Sequence, residues 1–224
     1  MIWDERSTVY KMKKEELYSY IDHTALKAFT TWDEIQKLCE EALHYHMASV
    51  CIPSCYIKRV HETYPGLTIC TVVGFPLGNA NTAAKLAETE AALKDGAQEI
   101  DMVINICDVK NGEYGRVTEE IHALKDICGK HILKVIIETC YLTEEEKIAM
   151  CHCVTEAGAD FIKTSTGFGT GGATLEDVRL MRKYVGKNVK IKAAGGIRTK
   201  KDMEAFLEAG ADRIGTSGAI TMLG

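Results

Sequence analysis

The feature that most constrains this 224-residue chain is a joint that recurs three times, as Asp95-Gly96-Ala97, Ala157-Gly158-Ala159-Asp160 and Ala209-Gly210-Ala211-Asp212. Each lies between a helix-patterned run and a β-prone run, where glycine ends the helix in the left-handed conformation that other residues avoid. Recurrence at one structural point implies repeated helix–strand units. Strand candidates then fall at residues 20–24, 48–52, 67–73, 99–105, 132–138, 161–165, 189–194 and 213–216. Helical runs separate them: one opening at Thr31 or Asp33, then 82–95, 117–128, one opening at Thr143, 175–184 and 202–209, with a short N-terminal helix at 15–20. Eight strands alternating with helices in this length predict an α/β fold, a (β/α)8 TIM barrel forming a single domain over residues 1–224. The rival open sheet needs a G-x-G-x-x-G after its first strand, and this chain has none there.

Composition narrows the function. With 46% hydrophobic and 26% charged residues and no apolar run of about 20, the chain reads as soluble. Its opening residues 1–6 are charged and lack a signal region, so the expected compartment is the cytoplasm. A net charge of −5 without a basic stripe argues against a nucleic-acid partner. The nine cysteines are odd in number and scattered, which suits reduced thiols. Cys151-His152-Cys153 and Cys51 with Cys55 have no second pair at zinc spacing, so no metal is expected.

Side chains alternate along a strand, so one face of each strand supplies the barrel interior. That face carries Asp22 and Thr24, Ser49 and Cys51, Asp101 and Asn105, Lys134 and Glu138, Lys163 and Ser165, and Lys192 and Ala194. A structural barrel fills these positions with branched apolar residues; lysines and acids there indicate a pocket. Lys163 and Lys192 belong to adjacent strands, which lie roughly 4.8 Å apart, so mutual repulsion is expected to lower the pKa of at least one. A neutral lysine attacks a carbonyl to give a Schiff base, with Asp101 moving protons and Lys134 pairing with it. Small residues follow the last three strands in Ser165-Thr166-Gly167, Ala194-Gly195-Gly196-Ile197-Arg198 and Gly215-Thr216-Ser217-Gly218, an arrangement suited to a phosphate.

These residues resemble the 2-deoxyribose-5-phosphate aldolase family. The likeness runs from about Tyr20 to Ser217 through Val72-Val73-Gly74-Phe75-Pro76-Leu77-Gly78, Glu99-Ile100-Asp101-Met102-Val103-Ile104-Asn105, Leu133-Lys134-Val135-Ile136-Ile137-Glu138-Thr139, Phe161-Ile162-Lys163-Thr164-Ser165-Thr166-Gly167 and Lys192-Ala193-Ala194-Gly195-Gly196-Ile197-Arg198. The resemblance implies reversible cleavage of 2-deoxyribose 5-phosphate to glyceraldehyde 3-phosphate and acetaldehyde, with no cofactor or metal, by a homodimer or homotetramer. It places the Schiff-base lysine on Lys163, its electrostatic neighbour on Lys192, the proton relay on Asp101 and its assistant on Lys134. Phosphate binding falls on Gly167, Gly195, Gly196, Gly215 and Ser217, and Asp22, Thr24 and Cys51 join the substrate pocket. Phe168 and Gly218 stand where some members carry Lys and Ser, and the seven residues after Ser217 are too few for a full eighth helix and a tail. Two other readings remain: a different Schiff-base aldolase, or a non-covalent phosphosugar-binding barrel such as an isomerase. A metal-dependent aldolase needs a ligand cluster, and His23 alone reads as a packed histidine.

Overall fold

The computed structural model describes residues 12–224; residues 1–6, read above for a signal region, lie outside them. Its strands are β1 (Ile21–Thr24), β2 (Ser49–Ile52), β3 (Ile69–Val73), β4 (Glu99–Val103), β5 (Ile132–Ile136), β6 (Phe161–Lys163), β7 (Lys190–Ala194) and β8 (Arg213–Thr216). The helices are α1 (Lys14–Tyr18), α2 (Trp32–His44), α3 (Ile57–Thr63), α4 (Thr82–Asp95), α5 (Ile106–Lys110), α6 (Tyr114–Cys128), α7 (Glu144–Glu156), α8 (Leu175–Tyr184), α9 (Lys200–Glu208) and α10 (Ala219–Leu223). The strands pair in parallel in chain order and β1 closes on β8, giving the expected (β/α)8 barrel.

The helix starts and stops are written locally. Thr31, Thr143 and Thr199 each accept a backbone N–H three residues on, from Glu34, Glu146 and Asp202, whose carboxylates accept the threonine's own N–H. Such a cap stabilises a helix start by about 1 kcal/mol. At the other ends, Gly96, Gly158 and Gly210 take φ of 112°, 73° and 110°. The N–H of the buried alanine after each, Ala97, Ala159 and Ala211, then returns to the carbonyl of Ala92, Val154 and Phe206. The aspartates that follow two of these joints bind the sheet: Asp160 accepts the N–H of Leu133, and Asp212 that of Ile191, both at 2.8 Å. Outside the barrel, Ile100, Leu133, Ile162, Ile191 and Ile214 are fully buried in the main apolar cluster with helix residues such as Val117, Val154 and Met203.

Several strands stop short of the sequence reading. β4 ends at Val103, and Asn105 caps α5 instead of entering the interior, its Oδ1 accepting the Cys107 N–H. β5 ends at Ile136 and β6 at Lys163, although single backbone hydrogen bonds continue beyond them, from the Ile137 N–H to the Lys163 carbonyl and from the Thr164 N–H to the Lys192 carbonyl. α3 and α5 occupy segments read as connections, and α10 fills the short C-terminus. Among the described residues no helix is long and apolar enough to cross a membrane.

Candidate active site

The register sets Asp101 beside Lys134, and Lys163 beside Lys192. Alternation turns all four side chains inward, where Asp101 becomes the hub. Its Oδ2 accepts from Lys163 Nζ and Lys192 Nζ, both at 2.7 Å, and its Oδ1 accepts from Lys134 Nζ at 2.9 Å. Lys192 Nζ also meets Asp22 Oδ2 at 2.5 Å, and Lys134 Nζ meets Glu99 Oε2 at 2.5 Å. Beneath them Arg213 bridges Asp22 and Glu99. Four basic side chains thus face three carboxylates. Lys163 is 3% exposed while Lys134 and Lys192 are at 0%, so Lys163 is the least buried of the three lysines.

Electrostatics follow from this packing. Burial raises the pKa of Asp101, but Lys134, Lys163 and Lys192 more than offset it and hold the carboxyl well below its usual range. Asp22 is lowered likewise, burial being overcome by Lys192, Lys134 and Arg213. Burial acts to lower Lys192, yet Asp101 and Asp22 prevail and its pKa is raised. The expected lowering therefore does not fall on Lys192: a shared carboxylate stands between the two lysines and replaces their repulsion by attraction. Lys134 is raised for the same reason.

The remaining predicted residues divide. Ser49 donates to Asp22 Oδ1 at 2.7 Å, and Cys51 is buried beside Cys70, whose hydrogen bond lowers the Cys51 pKa against the effect of burial. Cys70 Sγ lies 3.1 Å from Asp101 Oδ1. Cys51, Cys70 and Asp101 bring three potential metal-ligand atoms within 4.8 Å of one another, but Asp101 is already taken up by three lysines. Thr24 turns back to the Asp22 carbonyl. Glu138, with φ of 51°, is buried and accepts both the N–H and the hydroxyl of Thr166. At the mouth, Gly167, Gly195 and Gly196 have φ of 85°, 86° and 78°. Among the described residues, no hydrogen bond occupies the backbone N–H of Gly167, Gly195, Gly196 or Ser217. Gly215 sits where a Cβ would lie 3.1 Å from Lys192 Cε, so a side chain there would press on the site.

Sequence reasoning missed Glu99 and Arg213. The signal was available in part, since Glu99 shares a face with Asp101 and Arg213 shares one with Gly215. At a strand's first residue, however, a charge ordinarily reaches solvent.

Comparison with known proteins identifies the family. The family described as DeoC/LacD family aldolase matches residues 17–223. A deoxyribose-phosphate aldolase from Clostridium botulinum is 64% identical over 213 residues, covering 95% of this chain and 96% of that protein. One from Clostridioides difficile is 57% identical, covering 91% and 93%. A solved structure described as a tetrameric deoxyribose phosphate aldolase from Aeropyrum pernix superposes with a TM-score of 0.88 at 30% identity, covering 94% and 91%. With the family match spanning residues 17–223 and a relative 64% identical, the chain belongs to the DeoC/LacD family of aldolases.

Proposed function

We propose that this aldolase reversibly cleaves 2-deoxy-D-ribose 5-phosphate into D-glyceraldehyde 3-phosphate and acetaldehyde through a Schiff base on Lys163. The observation that carries the reading is the charge count of the interior. Lys134, Lys163, Lys192 and Arg213 face Asp22, Glu99 and Asp101, and Lys163 is the least buried of the three lysines. Proton loss from Lys163 leaves three cations facing three carboxylates, and Lys192 keeps its charge because its pKa is raised.

The neutral Lys163 amine attacks C1 of the open-chain aldehyde, and loss of water gives a protonated imine. The C3 hydroxyl then gives up its proton as the C2–C3 bond breaks. Its electron pair moves to C2, forming an enamine, and C3 leaves as the aldehyde of glyceraldehyde 3-phosphate. A proton returned to C2 regenerates an imine, and water releases acetaldehyde and Lys163. Asp101, held ionised by its lysines, orders the proton relay directly or through water, Lys192 stabilises developing negative charge, and Lys134 holds Asp101 in place. Asp22, Thr24 and Cys51 border the pocket. The N–H groups of Gly167, Gly195, Gly196 and Ser217 receive the phosphate, with Gly215 leaving room. The reading includes a homodimer or homotetramer in the cytoplasm, in keeping with the tetrameric relative.

The test is borohydride reduction in the presence of acetaldehyde, followed by peptide mass mapping. A two-carbon adduct on Lys163, absent from Lys163→Ala and weakened in Lys192→Ala, is the expected result. No adduct, with phosphosugar binding intact, moves the protein to the non-covalent barrels.

A further inference from the structure

From the layer beneath the site we infer that Glu99 and Arg213 are positioning residues that set the working pH of Lys163 by opposed charge. This rests on the Schiff-base reading and assigns the regulation of that same site. The groups facing the cluster from each strand are Asp22 on β1, the thiols of Cys51 and Cys70 on β2 and β3, Glu99 and Asp101 on β4, Lys134 on β5, Lys192 on β7 and Arg213 on β8, with Glu138 beyond the end of β5 turned to Thr166. Two charged paths run up to Lys163. One passes from Glu99 through Lys134 to Asp101, and the other from Arg213 through Asp22 and Lys192 to Asp101. Glu99 and Arg213 also meet each other, with Nη2–Oε1 at 3.4 Å, so the lower layer is one joined pair.

Neither residue reaches the mouth or the reacting carbon. Each still acts on whether Lys163 carries a proton, because charge is poorly screened in a buried interior. Glu99 favours the protonated form and Arg213 opposes it. Taken together they nearly cancel, and taken singly they tilt the site in opposite directions.

The test follows trapping of the acetaldehyde adduct on Lys163 by cyanoborohydride against pH, in the wild type, Glu99→Gln, Arg213→Gln, the double variant and Arg213→Lys. The acidic limb moves down in Glu99→Gln and up in Arg213→Gln, each by about 1 pH unit, as for a unit charge removed on the order of 10 Å away at an effective dielectric of about 20. Arg213→Lys keeps the charge and the wild-type limb. The double variant removes one charge of each sign, leaves no unpaired ion, and keeps its limb near that of the wild type, which preserves the test if a single variant does not fold. Limbs that stay fixed or move in the same direction, or a double variant displaced as far as a single one, overturn the assignment. A wild type that forms no adduct withdraws the Schiff-base reading itself.

Discussion

Lys85 and Lys163 are both buried lysines with carboxylate partners, and they occupy opposite situations. Lys85 lies outside the barrel between α4 and α6, where its Nζ donates to the Val103 carbonyl and to Glu120 Oε2, both at 2.8 Å. Thr82 takes up the other Glu120 oxygen at 3.1 Å, which leaves one cation facing one acid with no surplus of charge. Lys163 belongs to a set with more cations than acids and is its least buried lysine. A buried lysine is therefore not a functional signal by itself; a surplus of charge is.

That contrast breaks first at Lys163. Lys163→Ala should lower kcat by on the order of 10⁴-fold or more, since the covalent intermediate is lost, with little change in the urea midpoint. An active Lys163→Ala enzyme would equate the two lysines. Lys85→Met should do the reverse. It leaves Glu120 buried without its partner, at a cost of about 3–5 kcal/mol in urea unfolding, while activity per folded molecule stays near wild type. The Lys85→Met/Glu120→Leu pair should recover most of that stability, and failure to recover would mean that the lysine's link to Val103 outweighs its ion pair.

Stability against pH sharpens the comparison further. Asp22 and Asp101 are depressed in the fold, so their contribution is complete above the ordinary carboxylate range near pH ~4 and is lost as pH falls toward their native values. Lys134 and Lys192 are raised, so theirs is complete below the ordinary lysine range near pH ~10.4 and is lost as pH rises through the raised values. Asp22→Asn should flatten the acid limb of stability against pH by about 1–3 kcal/mol. The smallest effect belongs to a charge on neither side of the comparison. Arg116, whose side chain is 66% exposed beside Glu113, should tolerate Arg116→Ala with no measurable change in midpoint or rate.

The fold was legible because its punctuation is local. Gly96, Gly158 and Gly210 and the threonine caps each act within a few residues, and alternation alone assigned Asp22, Ser49, Cys51, Asp101, Lys134, Lys163 and Lys192 to the interior. What stayed hidden depends on the closed sheet. Asp101 standing between Lys163 and Lys192 requires the cross-barrel reach of three strands, and no spacing along the chain encodes it. Asn105 failed for a different reason: a strand period carried two residues too far reaches a helix cap.

The glycine joints have a consequence of another kind. Their links are short, three residues from α4 to β4 and four each from α7 to β6 and α9 to β8, whereas eleven residues separate β6 from α8 on the mouth side. One rim of the molecule is stitched tight and the other is tailored loosely. Natural drift or directed evolution of this chain has its latitude on the loose rim, where loops can lengthen or change without unpicking a strand.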